Sequence, residues 1–311
     1  MRVKISDYDI IFISYDEPRC EENWADLLEK APWAKRVHHV KGFDAAHKAA
    51  ANESDTDRFV TVDGDNKLQE GFIDQAFDVD EEKHSRCVYS FAAIKHINGL
   101  VYGNNGVKVW PKEVVLTMKS HETAEKGSFA LDFCWDVPYI QRREISSVGY
   151  ANGSPFQAFR AGFREGVKMS LGHNGWTVPD PAKIEQFVYP INIKRLLIWA
   201  SVGADVQNGL WSMYGTRLGF IMANFRSLDI TKINNYDWFK QLWTEEVGPQ
   251  FSGIQEACTY SKYQWNSTKL WEEMVDLGQE IKRKSNLCVA DLTKDQSLFV
   301  KNIFERNKGE L

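Results

Sequence analysis

Along the first hundred residues, apolar runs of strand length alternate with amphipathic stretches of helix length. Asp9-Ile-Ile-Phe-Ile-Ser-Tyr15 is nearly continuous in apolar residues, as strands covered on both faces of a parallel sheet are. Asp16-Glu17-Pro18 ends it, and Glu21 to Lys30 then sets Trp24, Leu27 and Leu28 on one helical face. Arg36 to Val40 reads as a short strand, Phe43 to Ala51 as an alanine-rich helix, and Phe59 to Val62 as a third strand. Strands and helices alternating at this spacing predict βαβ units on a parallel sheet, with ligands outside the carboxyl ends of the strands. Cys87 to Ile94 adds a strand, and Val107-Lys108-Val109-Trp110 alternates like an exposed one before Pro111.

The pattern then turns helical. Glu125 to Trp135 leads to Asp132 and Asp136, four apart and so on one face if helical; a solvated pair is the plain reading. Ser154-Pro155 is a good helix start, and the helix to about Met169 carries Phe156, Phe159, Phe163 and Val167 on one side. Residues 192–204 and 209–226 are apolar and rich in Trp, Tyr and Gly, which suggests close helix packing. Tyr236 to Val247 follows, then Asn266 to Lys284 with Leu270, Met274, Leu277 and Ile281 on one face, and a last helix from Asp295 to Asn307. The composition changes near residues 180–190 without a linker. The expected organisation is an α/β domain over 1–188 and a helical region over 189–311.

Composition narrows the class. At 311 residues, 43% apolar and 13% aromatic, the chain has ample material for a core. Its five cysteines (20, 87, 134, 258 and 288) are scattered with no C-x-x-C pair, which argues for reduced thiols rather than a disulfide frame or zinc site. No apolar run approaches a membrane span and no signal-type segment opens the chain, so the expectation is a cytoplasmic protein with no membrane partner. The net charge is −5: residues 1–100 hold 13 Lys and Arg against 20 Asp and Glu, and residues 151–200 hold 6 against 3. A polyanion would therefore have to meet a local basic face, and Arg160, Arg164 and Lys168, each four apart, form the best one.

The candidate chemistry gathers where the third strand ends, at Asp63-Gly64-Asp65. Two carboxylates at i and i+2 can converge on a hard cation such as Mg²⁺ or Mn²⁺, which keeps waters and takes substrate phosphates. Taken alone the same dipeptide is a common turn. Tyr15-Asp16 falls at a second strand end. Gly103-Asn104-Asn105-Gly106 either lets a ligand approach the backbone or forms a hairpin turn. His173 lies in the glycine-flanked Leu171-Gly-His-Asn-Gly-Trp176.

With these pieces placed, the chain resembles nucleotide-sugar glycosyltransferases of the GT-A type over about residues 9–180. The resemblance rests on the opening strand, the short basic Ala46-His47-Lys48 and the strand ending in Asp63-Gly64-Asp65. Ile13-Ser14-Tyr15-Asp16-Glu17-Pro18, the stretch from Tyr102 to Pro111 and Ala158-Phe159-Arg160-Ala161-Gly162-Phe163-Arg164-Glu165-Gly166 are narrower. They resemble phage-encoded glycosyltransferases that decorate hydroxymethylated pyrimidines of phage DNA.

The resemblance implies a Rossmann-like, mostly parallel sheet and a divalent ion, Mn²⁺ or Mg²⁺. Asp65 would hold the ion, with Asp63 near it or the ribose, against the diphosphate of a UDP-sugar. It implies base contacts from Tyr15 and Asp16, a nucleotide contact from Lys48, and His173 as a third metal ligand. The hydroxymethyl acceptor is an alcohol of high pKa that needs a general base if configuration inverts, and Asp132 or Asp136 stands where that acid is expected. Asn104, Asn105, Lys108, Trp110, Arg160, Arg164 and Lys168 are the acceptor-side candidates, with Trp110 and Trp176 as stacking partners. Localisation would be the host cytoplasm for a phage-encoded enzyme. The alternatives are a saccharide or lipid-linked acceptor, and a non-catalytic DNA-binding phage protein.

Overall fold

The computed structural model describes residues 1–103, 106–123, 137–252 and 265–306. These divide into two units, one formed by Met1–Ala151 and the other beginning at Asn152.

In the first unit, β1 (Arg2–Lys4), β2 (Asp9–Ser14), α1 (Cys20–Lys30), β3 (Lys35–His38), α2 (Phe43–Glu53) and β4 (Arg58–Asp63) follow the expected alternation. After them come β5 (Asn66–Leu68), β6 (Ala76–Asp78), α3 (Glu81–His84), β7 (Val88–Lys95), β8 (Val101–Tyr102), β9 (Val107–Pro111), α4 (Lys112–Thr117) and β10 (Tyr139–Gly149). The main sheet runs β3-β2-β4-β9-β7-β10-β5, with β8 beside β7, while β1 and β6 form a separate ribbon.

The fold is mixed α/β, and the sheet is mixed rather than mostly parallel. β3, β2 and β4 are parallel, as are β7 and β10, but β9 is antiparallel to both of its neighbours. The cause is local. β8 follows β7 after five residues, too few for the crossover that a parallel return requires, and β9 runs on along β7 in the direction of β8. Nor is β9 exposed. Val107 and Val109 enter the core on one face, with Ile10, Phe12, Val60 and Val62. Trp110 enters the core on the other, with Ile11, Phe59, Ala50 and Val114. Helices cover both faces, which is why the opening strands are almost wholly apolar.

The second unit is helical: α5 (Pro155–Lys168), α6 (Pro190–Ser201), α7 (Gly209–Phe225), α8 (Tyr236–Leu242), α9 (Gly248–Phe251), α10 (Ser267–Ser285) and α11 (Lys294–Arg306). The division at 151/152 lies one helix before the break expected near 188, because α5 packs on α7. A Cβ at Gly162 or Gly166 would overlap the carbonyl oxygens of Ser212 and Thr216, and one at Gly215 or Gly219 those of Phe159 and Phe163. The two glycine pairs, each four apart, thus bring the helix backbones into contact. Trp211, Trp243 and Trp265 pack edge to face with centroids 5.0–5.5 Å apart, which places much of the tryptophan in this core. Arg217, fully buried, donates to the carbonyls of Ala200, Met274 and Ala290 and to Asp291, tying α6, α7 and α10 to the chain beyond them. Among the described residues, no helix is long and apolar enough to cross a membrane.

Candidate active site

Parallel pairing of β2 with β4 sets Ile13 opposite Asp63, so the segments leaving the two carboxyl ends meet. One is Tyr15-Asp16-Glu17, the other Asp63-Gly64-Asp65-Asn66. Glu17 folds back, its Oε2 accepting the Tyr15 backbone N–H at 2.8 Å. The same oxygen lies 2.7 Å from the place a Cβ on Gly64 would take, and Ser14 Cβ lies 3.0 Å from it. Glycine at 64 is therefore a matter of space.

The loop is tied down from several sides. Asn23 of α1 donates its side-chain amide to the Gly64 carbonyl at 2.9 Å. The Tyr150 N–H donates to the Asp65 carbonyl at 2.7 Å. Asn66 Nδ2 donates to Asp65 Oδ1 at 2.7 Å, and the Ser147 hydroxyl holds Asn66 by donating to Oδ1 at 2.9 Å. Across the sheet, the Asp63 N–H donates to the Gly106 carbonyl at 2.9 Å. A side chain at Gly106 would meet Asn66 Nδ2 at 2.5 Å and Asp63 Cβ at 2.7 Å, and one at Gly103 would overlap Gln141. The flanking glycines of Gly103-Asn104-Asn105-Gly106 therefore pack directly against polar side chains of this edge.

Register places Asp63, Thr61 and Lys108 on one face of the sheet. Asp63 is half-buried there, and its carboxyl is pushed up to about 7. Burial is the main cause; the charges of Asp65 and Glu17 add to it, and Lys108 and Lys95 oppose it. Glu17 is raised too, by burial first, against the hydrogen bond from Tyr15. Three carboxyls thus lie within electrostatic reach of one another, and a cation would relieve their repulsion.

The donor set suits a hard ion. Among the described residues no three His, Cys, Asp or Glu side chains form a complete ligand set. A Mg²⁺-type ion held by one or two carboxylates, waters and substrate phosphates needs none.

The other expected residues fall in several places. Tyr15 is 36% exposed at the edge, its ring perpendicular to His39 at 5.8 Å, and His39 stacks on His38 at 3.7 Å. Asp16 beside it is exposed. Lys48 pairs with Asp44 one turn back at 2.7 Å, and His47 is buried against Trp110 with its imidazole lowered to about 4 by desolvation. Trp110 is fully buried and donates its indole N–H to Thr61 at 2.9 Å, so it is a core residue and not a stacking surface. Trp176, by contrast, is exposed.

In the second unit, Arg160, Arg164 and Lys168 lie along α5 and are half-buried rather than free in solvent; the Arg160 guanidinium sits 4.8 Å above the Tyr236 ring. His173 is exposed, in a turn closed by Gly172 N–H to the Trp176 carbonyl at 2.8 Å, and its ring packs on Tyr189 at 4.1 Å. Asn104, Asn105, Asp132 and Asp136 lie outside the described residues.

Glu17, Asn23 and Ser147 belong to the site without having been singled out. Asn23 left a trace in the sequence: it precedes Leu27 by four and is a polar residue on the buried face of α1. Glu17 left none, since an acid before proline reads as a strand terminator.

No family model matches the chain, and no curated protein does. Among solved structures, the crystal structure of HddC from Yersinia pseudotuberculosis aligns with 14% identity over 45% of this chain and 91% of that one. The TM-score of that alignment is 0.27, a likeness too loose to carry either a fold or a function.

Proposed function

We propose that the chain is a metal-dependent glycosyltransferase. It would move a sugar from a UDP-sugar to the hydroxymethyl group of 5-hydroxymethylcytosine, or the uracil counterpart, in DNA. The observation that carries the reading is the half-buried Asp63, with its carboxyl near 7, beside Asp65 and Glu17 where two parallel strands end. Such crowding is unfavourable on its own and becomes favourable with a divalent cation and the phosphates it brings.

Asp63 and Asp65 are the residues proposed to hold Mn²⁺ or Mg²⁺. The bound ion would supply charge stabilisation to the departing diphosphate. Asn23, Asn66, Ser147 and the Tyr150 N–H keep the loop in one arrangement, so the carboxylates need no reordering when the donor arrives. Tyr15, backed by His39, offers an exposed aromatic face to the base. Lys108 and Lys95 are the cations whose charge reaches Asp63. Arg160, Arg164 and Lys168 are assigned to the DNA phosphates, and Asp132 or Asp136 to accepting the proton of the acceptor alcohol.

The test is incubation with hydroxymethylated DNA, Mn²⁺ and a panel of UDP-sugars, followed by nucleoside mass measurement. The proposal expects one donor to add a single sugar mass to the modified pyrimidine. UDP binding without any mass gain would move the acceptor to a saccharide or lipid-linked sugar, and absence of UDP binding would remove the donor assignment as well.

A further inference from the structure

The segment joining α5 to α6 carries its aromatic rings on the outside. Tyr189 is 53% exposed and Trp176 43%, and His173 is exposed as well. The backbone beneath them is fixed. The Gly172 N–H donates to the Trp176 carbonyl at 2.8 Å and the His173 N–H to the Phe187 carbonyl at 2.9 Å, which brings the two ends of the segment together. The His173 ring then lies 4.1 Å from that of Tyr189, tilted by 38°, so the two form one extended aromatic surface. Val178, Ile184 and Val188 of the same segment are buried, so it has its own apolar anchors and still keeps the rings in solvent. A single exposed ring needs no explanation, but two packed together beside a third on the same turn do.

The charges around the rings indicate what covers them. On α6 the outer face carries Ile191 and Lys194, both exposed, and Lys194 lies roughly 8 Å along the helix axis from Tyr189. On the other side, the Asn286 side-chain amide donates to the Ala182 carbonyl at 3.3 Å and ties the end of α10 to the 3-10 turn Pro181–Gln186. There Gln279, Lys282, Arg283 and Asn286, three and four apart on one face, line an open pocket of about 420 Å³. Among the described residues Lys194, Lys282 and Arg283 form no ion pair. The segment itself holds two acids, Asp180, which pairs with Lys183 at 3.3 Å, and Glu185. The helix dipole accounts for cations at the end of α10, but not for the rings beside them. Aromatic faces next to unpaired cations fit a polyanion whose bases are free to stack. A duplex hides its base faces, and a bilayer would find one aliphatic side chain, Ile191, to bury.

We propose that this surface of the helical unit binds single-stranded DNA. Bases stack on the Tyr189–His173 pair and on Trp176, while Lys194, Lys282 and Arg283 meet phosphates. The inference rests on the DNA acceptor of the proposed function and narrows it: the acceptor strand is held unpaired.

Fluorescence anisotropy of a labelled, unmodified oligothymidylate with the full chain, without metal or sugar donor, tests this. The expected result is salt-dependent binding that Tyr189→Ala weakens at least about fivefold and Tyr189→Phe preserves, with duplex binding unchanged by either. Lys282→Ala combined with Arg283→Ala should lower the slope of log affinity against log salt by about 1.4 if each meets one phosphate. These side chains are exposed, so unchanged melting curves separate a lost contact from a lost fold. Single-strand binding that is absent, indifferent to Tyr189→Ala, or weakened equally on the duplex would overturn the inference, as would binding of anionic vesicles through Tyr189 in place of DNA. The two readings fail separately. A chain that glycosylates DNA while its single-strand binding ignores Tyr189→Ala loses this inference and keeps the transferase reading; one that binds single strands through Tyr189 and transfers nothing does the reverse.

Discussion

Replacing Asp63 by asparagine separates what the buried acid does for binding from what it costs the fold. Asn keeps the shape and cannot ionise. In the folded chain the Asp63 carboxyl titrates near 7, against about 3.9 in an unfolded chain. A raised carboxyl favours the protonated acid, so its contribution to stability is complete at low pH and is lost as pH rises from about 4 to 7. At ~1.4 kcal/mol per decade the whole displacement corresponds to roughly 4 kcal/mol, and water reaching the half-buried side chain reduces this to about 2 kcal/mol. Asp63→Asn is therefore expected to melt about 4–8 °C above the wild type at pH 8 and to converge with it near pH 4.5. The assay is thermal unfolding of the metal-free protein at half-unit pH steps. Parallel curves for the two proteins would refute the argument. Mn²⁺ should then raise the melting point of the wild type at pH 8 and leave Asp63→Asn unmoved, because the variant lacks the charge that the ion neutralises.

Other consequences are independent of that acid. Arg164→Ala should weaken binding to duplex DNA and lower the slope of log affinity against log salt by about 0.9 if it meets one phosphate, measured by fluorescence anisotropy; an unchanged slope would remove Arg164 from the DNA-facing set. Gly166→Ala forces a Cβ into the Thr216 carbonyl and should cost about 3 kcal/mol or more in denaturant unfolding, whereas the same change at exposed Gly71, which has open space but positive φ, should cost less. Arg217→Met leaves the Ala200, Met274 and Ala290 carbonyls without their donor and should destabilise the protein by about 3–5 kcal/mol. A loss below 1 kcal/mol would show that water replaces the guanidinium.

What could be read in the sequence were the features that depend on local period. The apolar runs of β2 and β4, the stripes of α1 and α10 and the Ser154-Pro155 start of α5 all follow from side-chain spacing along a single element. What could not be read depends on pairing between distant segments. β10 carries Gln141, Arg142, Arg143 and Glu144 and reads as a charged stretch, yet it is a strand because β7 pairs it up to Gln141 and again from Ile145, and β5 pairs Ser147 to Gly149. β9 alternates as an exposed strand does, and only its place between β4 and β7 shows that both faces are covered. The same holds within the candidate site. Asp63-Gly64-Asp65 is visible as a motif, but Glu17 joins it only because parallel pairing sets the end of β2 beside the end of β4.

Asp63 and Asp65 are proposed to hold a cation against a nucleoside diphosphate. Calorimetric titration of UDP into the wild type and Asp65→Ala, each with and without Mn²⁺, tests it most directly. The wild type is expected to bind in Mn²⁺, with a loss of at least about 100-fold either when the metal is omitted or when Asp65 is replaced. UDP binding that is indifferent to both would contradict it.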